Sequence, residues 1–171
     1  TKAKNNEFMQ LYEKYHQDLS HFCRSLEHDT EDAKELMSET ISRAFSGFSR
    51  LKDTSKFKSY LFGIASNTLK ETIRKKSRVA PEPNVISINN SERSRAESHT
   101  VNQILNQIPT KQAEVFILFE IADMPLAEIA KTLDTNLSTV KTRLGRARAA
   151  LKKLLDSEFN QHITNYKDPR I

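Results

Sequence analysis

Three groups of side chains in this sequence carry enough chemistry to point to a function, and each is defined by its spacing on a helix. The first is Lys141, Thr142, Gly145 and Arg146 in the run STVKTRLGRARAALKKL. At about one hundred degrees per residue they fall opposite a stripe of Val140, Leu144, Ala147 and Leu151, with Arg143 and Arg148 on the flanks. Lys and Arg reach guanine edges or phosphates, and small residues let a helix backbone come close to a groove and touch thymine methyls. The second group is Lys56, Gly63, Asn67, Lys70, Arg74 and Arg78, a ridge of cations and one amide along KFKSYLFGIASNTLKETIRKKSR. Asn reads base edges, while Lys and Arg neutralise phosphates. The third is Asp32, Glu35 and Glu39, an acidic face on TEDAKELMSETISRAFSGF.

Other chemistries find little support. The chain has no Ser/His/Asp order, no phosphate-binding glycine loop and no paired acid in an apolar setting, so it reads as non-catalytic. His16, His21, Cys23 and His28 invite a metal, but only His21 and His28 share a helical face and no two have the usual short ligand spacing; no metal or other cofactor is expected. A single cysteine makes no internal disulfide, which agrees with a reducing compartment, and Cys23 lies on a core stripe, where it reads as a filler rather than a redox centre. Phe57, Tyr60 and Phe62 suggest a platform for stacked bases, against which stands the place of Phe57 on a core stripe.

The elements that position these groups follow from periodicity. An opening helix carries Phe8, Leu11, Tyr12, Tyr15, Leu19, Phe22, Cys23 and Leu26 on one side. The next has Asp29 or Thr30 as N-cap and a stripe of Ala33, Leu36, Met37, Thr40, Ile41, Ala44, Phe45 and Phe48. A third has Phe57, Leu61, Ala65, Thr68, Leu69 and Thr72, and the three complete a helical core over residues 1–78. Residues 79–98, with two prolines and several Ser and Asn, lose all periodicity and read as a linker. A second helical unit spans 99–156: Ile104, Leu105 and Ile108, a helix start at Pro109, then Val115, Phe116, Leu118 and Phe119. It closes on a helix-turn-helix, in which Leu126, Ile129, Ala130 and Leu133 precede a polar turn at Asp134 to Asn136 and a longer helix capped by Ser138. Residues 157–171 read as a tail without a role.

Composition agrees with an all-α fold of two small helical domains, since 3 Gly and 5 Pro in 171 residues leave little turn chemistry for a sandwich or barrel. The net charge of +5 is divided: residues 27–39 hold six acids against Lys34, 50–78 hold nine bases against two acids, and 141–153 hold six bases and no acid. Two separate cationic blocks suit a polyanion touched at two places; solvated lysine-rich faces are the other reading. No apolar run reaches the roughly eighteen residues of a spanning helix, and TKAKNNEF has no apolar core with a cleavage site. The expectation is a soluble, cytoplasmic protein without membrane insertion.

The pattern as a whole resembles the extracytoplasmic-function group of bacterial sigma factors. TEDAKELMSETISRAFSGF with KFKSYLFGIASNTLKETIRKKSR resembles their region 2, and IPTKQAEVFILFEIADMPLAEIAKTLDTNLSTVKTRLGRARAALKKL resembles their region 4, in the same order and over residues 7 to 156. The resemblance implies that Asp32, Glu35, Leu36 and Glu39 dock on the clamp helices of core RNA polymerase. It implies that Leu51, Lys52, Lys56, Asn67, Lys70 and Arg74 read and hold the melted −10 element, with Leu51 and Asn67 at the walls of a pocket for a flipped base. It places Lys141, Thr142, Gly145 and Arg146 on the duplex −35 groove, with Ser138, Thr139 and Arg143 available for phosphates. Gly145 stands where many relatives carry a larger side chain, and Pro125 replaces a small polar helix start. The resemblance also implies an anti-sigma partner. Two other readings stay open: a dimeric regulator on a palindrome, which leaves the acidic face unused, and an adaptor whose first domain binds protein, which leaves the Lys56 to Arg78 ridge unused.

Overall fold

Asp29 settles where the second helix begins. Its backbone is extended, and its carboxylate accepts the amides of Glu31 at 2.7 Å and Asp32 at 3.2 Å, so Asp29 is the cap and Thr30 the first helical residue. The structure, a computed structural model, describes residues 2–79 and 101–165. Its first half is three long helices, α1 (Lys2–Leu26), α2 (Thr30–Gly47) and α3 (Phe57–Val79). Between α2 and α3 lie two short 3-10 turns, Phe48–Arg50 and Thr54–Lys56. Asp53 caps the second turn by accepting the hydroxyl of Ser55 at 2.6 Å and its amide at 3.0 Å. Those bonds hold its carboxyl below the ordinary value.

Phe57 is the keystone of the first core. Its ring meets Phe8 edge-on at 5.6 Å and Phe48 at 5.8 Å, and Phe8 meets Phe48 at 5.3 Å. Edge-to-face pairs add about 0.5–1.5 kcal/mol each beyond area burial. Phe57 and Phe62 are 1% and 0% exposed, and the Tyr60 hydroxyl donates to the Ala44 carbonyl at 2.7 Å. The expected stacking platform is therefore overturned: these rings join α3 to the rest of the core and are not free for bases. Thr40 and Thr68 sit on apolar stripes because their hydroxyls bond back to the carbonyls of Leu36 at 2.7 Å and Ile64 at 2.8 Å.

The second half comprises α4 (Val101–Leu105), α5 (Thr110–Phe116) with a π-helical continuation Ile117–Ile121, α6 (Leu126–Thr132) and α7 (Leu137–Asn165). Both ends of the α5 to α6 segment close through an aspartate in the left-handed region, Asp123 at φ 53° and Asp134 at φ 50°. Each lets the next amide turn back, Met124 to the Leu118 carbonyl and Thr135 to the Ala130 carbonyl, both at 2.9 Å. Two expectations are corrected. Asn136, not Ser138, caps α7, since its side-chain oxygen accepts the Thr139 amide at 2.7 Å and the helix starts one residue before Ser138. Residues 157–165 are not a separate tail but continue α7. Residues 80–100, most of the expected linker, and 166–171 lie outside the described residues.

The sequence left open how the two halves sit. Here their buried side chains form one continuous cluster, from Phe8 and Leu69 to Leu105, Ile129 and Ala147. Polar contacts cross between them: Ser25 donates to Asn102 at 2.8 Å, Asn106 to the Arg24 carbonyl at 3.3 Å, Lys58 to the Asp123 carbonyl at 3.3 Å, and Ser59 to Glu128. Deleting the central ring, Phe57→Ala, is expected to cost about 3–5 kcal/mol in urea denaturation. Asp29→Ala, which loses only the cap, is expected to cost about 1 kcal/mol in the same measurement.

Candidate nucleic-acid interface

The helix-turn-helix presents its second helix as the sequence expects. Val140, Leu144 and Ala147 are 0%, 4% and 0% exposed against the second core, which turns Lys141, Thr142, Gly145 and Arg146 to solvent. Thr139 and Arg143 are half-buried at its edge, and Ser138 is exposed, its carbonyl accepting the Thr142 hydroxyl at 3.0 Å. Arg148 pairs with Glu120 at 2.5 Å and lies 5.4 Å from the centre of the Phe119 ring. It is thereby tied to the core side of the helix. Lys141 and Arg146 form no ion pair among the described residues and remain available to an anion. A Cβ on Gly145 would meet nothing within 4 Å, so no neighbour requires a glycine there.

On α3 the ridge is real but shorter than its sequence suggests. Asn67, Lys70 and Arg74 are exposed opposite the buried Leu61, Ala65, Thr68 and Leu69. Lys52 and Lys56 are exposed on the loop and 3-10 turn before the helix, beside half-buried Leu51. Gly63, placed by periodicity on the open ridge, instead faces α6: a Cβ there would lie 3.8 Å from Thr132 Cγ2. Long-range contact between the halves overrides the local wheel at that position.

The acidic face of α2 is also redistributed. Asp32 pairs with Lys76 at 2.8 Å, and the same ammonium reaches buried Glu27 at 3.1 Å. Partial burial works against that ammonium, but the two carboxylates outweigh it and hold its pKa above the ordinary lysine value. Glu39 pairs with Arg43 at 2.6 Å, which also holds Glu71 at 2.8 Å. Glu35 alone of the three is exposed with no ion pair among the described residues. Leu36 is 2% exposed within the core, so it is separated from the acidic surface on which the resemblance set it.

Sequence reasoning missed Glu114, Ser66 and Glu128, which meet between the halves. Glu114 is 4% exposed on α5 beside Ser66 of α3, itself 0% exposed. Burial pushes the Glu114 carboxyl above its ordinary value, while the Ser66 hydroxyl and the charges of Lys70, Arg143 and Lys111 pull it back. The one available signal was a charged residue within the apolar run AEVFIL. Cys23 is 1% exposed, and burial, with the nearby Glu27 charge, pushes its thiol up to about 12. Among the described residues no helix is long and apolar enough to cross a membrane.

Comparison with known proteins agrees with this architecture. The family model "Sigma-70 region 2" matches residues 11–79 and "Sigma-70, region 4" matches residues 98–151. The ECF RNA polymerase sigma factor SigW of Bacillus subtilis is 26% identical, with 90% of this chain and 91% of that protein covered. The RNA polymerase sigma factor SigV of the same organism is 26% identical over 83% of this chain and 87% of its own length. In fold, the chain resembles the sigma factor RpoE bound to the anti-sigma factor NepR from Bartonella quintana, at TM-score 0.71, 23% identity and coverage of 91% and 98%. It also resembles CnrH in complex with the cytosolic domain of CnrY, at TM-score 0.63, 24% identity and 90% coverage of each chain.

Gly145→Ala is expected to raise stability by about 0.5–1 kcal/mol in denaturant melts, because the methyl meets no obstacle and the helix gains propensity. The Cys23 thiol is expected to stay unmodified by a thiol reagent at about pH 8 until denaturant unfolds the chain, since only the thiolate reacts.

Proposed function

The chain belongs to the sigma-70 family, within its extracytoplasmic-function group, and on that premise we propose how its surfaces divide the work of promoter recognition. It is a sigma factor, and core RNA polymerase and promoter DNA are its partners. The observation that carries the assignment of surfaces is that both halves expose cations free of ion pairs on the helices where the family matches fall: Asn67, Lys70 and Arg74 on α3, Lys141 and Arg146 on α7.

In this reading α7 enters the major groove of the −35 element. Lys141 and Arg146 bond to base edges or phosphates, the small Gly145 lets the backbone approach, and Thr142 offers its hydroxyl and methyl. Ser138, Thr139 and Arg143 hold the flanking phosphates and fix the register. At the −10 element Leu51 and Asn67 border the pocket for a flipped base, whose extrusion costs a few kcal/mol and so favours the base that fits. Lys52, Lys56, Lys70 and Arg74 neutralise the strand beside it, which makes binding steeply salt-dependent. On α2, Glu35 supplies the unshared charge for a basic surface of core polymerase, with Asp32 and Glu39 supporting it through their own ion pairs. The protein itself is non-catalytic, works in the cytoplasm, needs no metal or cofactor and is held in check by an anti-sigma factor; the complexes of RpoE with NepR and CnrH with CnrY support that last partner. A free-standing dimeric regulator gives the exposed Glu35 nothing to do.

Glu35→Lys is the cleanest test, because it breaks no ion pair in the free chain. In a pull-down with purified core polymerase it is expected to abolish retention while circular dichroism stays unchanged; full retention would sink the docking assignment. Asn67→Ala is expected to lower run-off transcription and leave duplex binding by the second half intact. Arg146→Ala is expected to weaken −35 duplex binding by about 1–3 kcal/mol if its contact is bidentate.

A further inference from the structure

We propose that the arrangement seen here is a self-closed, resting form of the chain, held by the seating of α5 and α6 on α3 with Glu114 as its latch, and that the two halves must part before a promoter is engaged. The proposal rests on the surfaces assigned above and adds a regulated step to them.

One side of α3 is turned to the second half. Ser59 donates to Glu128, Gly63 abuts Thr132, and Ser66 is fully buried beside Glu114. One turn later the Lys70 charge acts on the same carboxyl, as does that of Arg143 from α7. Lys70 belongs to the −10 surface and Arg143 to the −35 surface, so the two DNA-binding faces meet at one residue. Charges that act on a common carboxyl lie within roughly a Debye length of it, about 10 Å, which puts the two side chains within about 20 Å of each other. The −35 and −10 elements are about 25 base pairs apart, or roughly 85 Å at 34–36 Å per helical turn. No single placement of the closed chain touches both. The 21 residues from 80 to 100 span up to about 75 Å when extended, and with the breadth of the halves themselves that length suffices once the contacts release.

The closed interface carries a built-in weakness. Glu114 Oε1 and the Ser66 hydroxyl are buried without a hydrogen bond of good geometry, and such groups favour any state that hydrates them. The groups facing Glu114 are Ser66 and Lys70 from α3, Arg143 from α7 and Lys111 from its own helix. Because burial raises the Glu114 pKa, the closed form holds a proton that the open form releases. Closure is therefore strongest near and below the ordinary carboxylate range and weakens as pH rises above it.

A disulfide across the seam tests the closure. In Gly63→Cys combined with Thr132→Cys, mild oxidation is expected to form the bridge in the free protein, while buried Cys23 stays out of the exchange. The bridged protein is expected to give at least about tenfold less run-off transcript with core polymerase than the same protein after reduction, as a locked two-state equilibrium requires. Failure of the bridge to form, or equal activity of bridged and reduced protein, overturns the closed resting form. Absence of transcript from the wild-type chain would instead overturn the functional reading, so the two failures are distinct. For the latch, the radius of gyration by X-ray scattering is expected to grow for the wild type between about pH 5 and about pH 8 and to stay level for Glu114→Gln. A flat wild-type profile, or a variant that follows the wild type, removes Glu114 from that role.

Discussion

A helix has one circumference to share among its neighbours, and α3 divides its own three ways. Phe57, Leu61, Ala65 and Leu69 fill the core of the first half, Ser59, Gly63 and Ser66 seat the second half, and Asn67, Lys70 and Arg74 face solvent. Moving any of these sets by one residue would turn it through about a quarter of the wheel and set cations against the aromatic cluster. The burial of Phe57 against Phe8 and Phe48 fixes the rotation of the helix about its axis. Both the cationic ridge and the seam between the halves inherit their directions from that contact.

The ion pairs select charges more than they add stability. Exposed pairs contribute about 0–1 kcal/mol each, so Arg43 with Glu39 and Glu71, Lys76 with Asp32 and Glu27, and Arg148 with Glu120 do little to hold the fold. Their larger effect is subtraction. They neutralise cations and acids that a partner would otherwise meet, and leave Glu35 on α2 and Lys141 and Arg146 on α7 as unshared charges on surfaces of opposite sign.

The seam has a different chemistry from the two cores it connects. Its contacts are serine, asparagine and glutamate side chains and backbone carbonyls, as in Ser25 with Asn102 and Lys58 with Asp123. Polar contacts of this kind exchange readily for water, giving about 0.5–1.5 kcal/mol each on balance. An interface so composed suits two halves that join and part, whereas the aromatic cluster of the first half has no hydrated alternative of comparable free energy.

How much of this was legible in the sequence depends on the range of the interaction. The helical stripes, the Asp29 cap, the turn at Asp134 to Asn136 and the exposure of Lys141, Thr142, Gly145 and Arg146 follow from period and propensity within a few residues, and they were read directly. The same local rules were too coarse to choose Asn136 over Ser138 as a cap, since both are good caps and only the first turn of α7 decides between them. Periodicity by itself identified the family's two regions and the faces they carry. The burial of Leu36, the neutralisation of Asp32 and Glu39, the turning of Gly63 towards Thr132 and the meeting of Glu114 with Ser66 belong to tertiary structure alone. Each brings together residues from different helices, and nothing in the wheel of one helix specifies what another will lay against it.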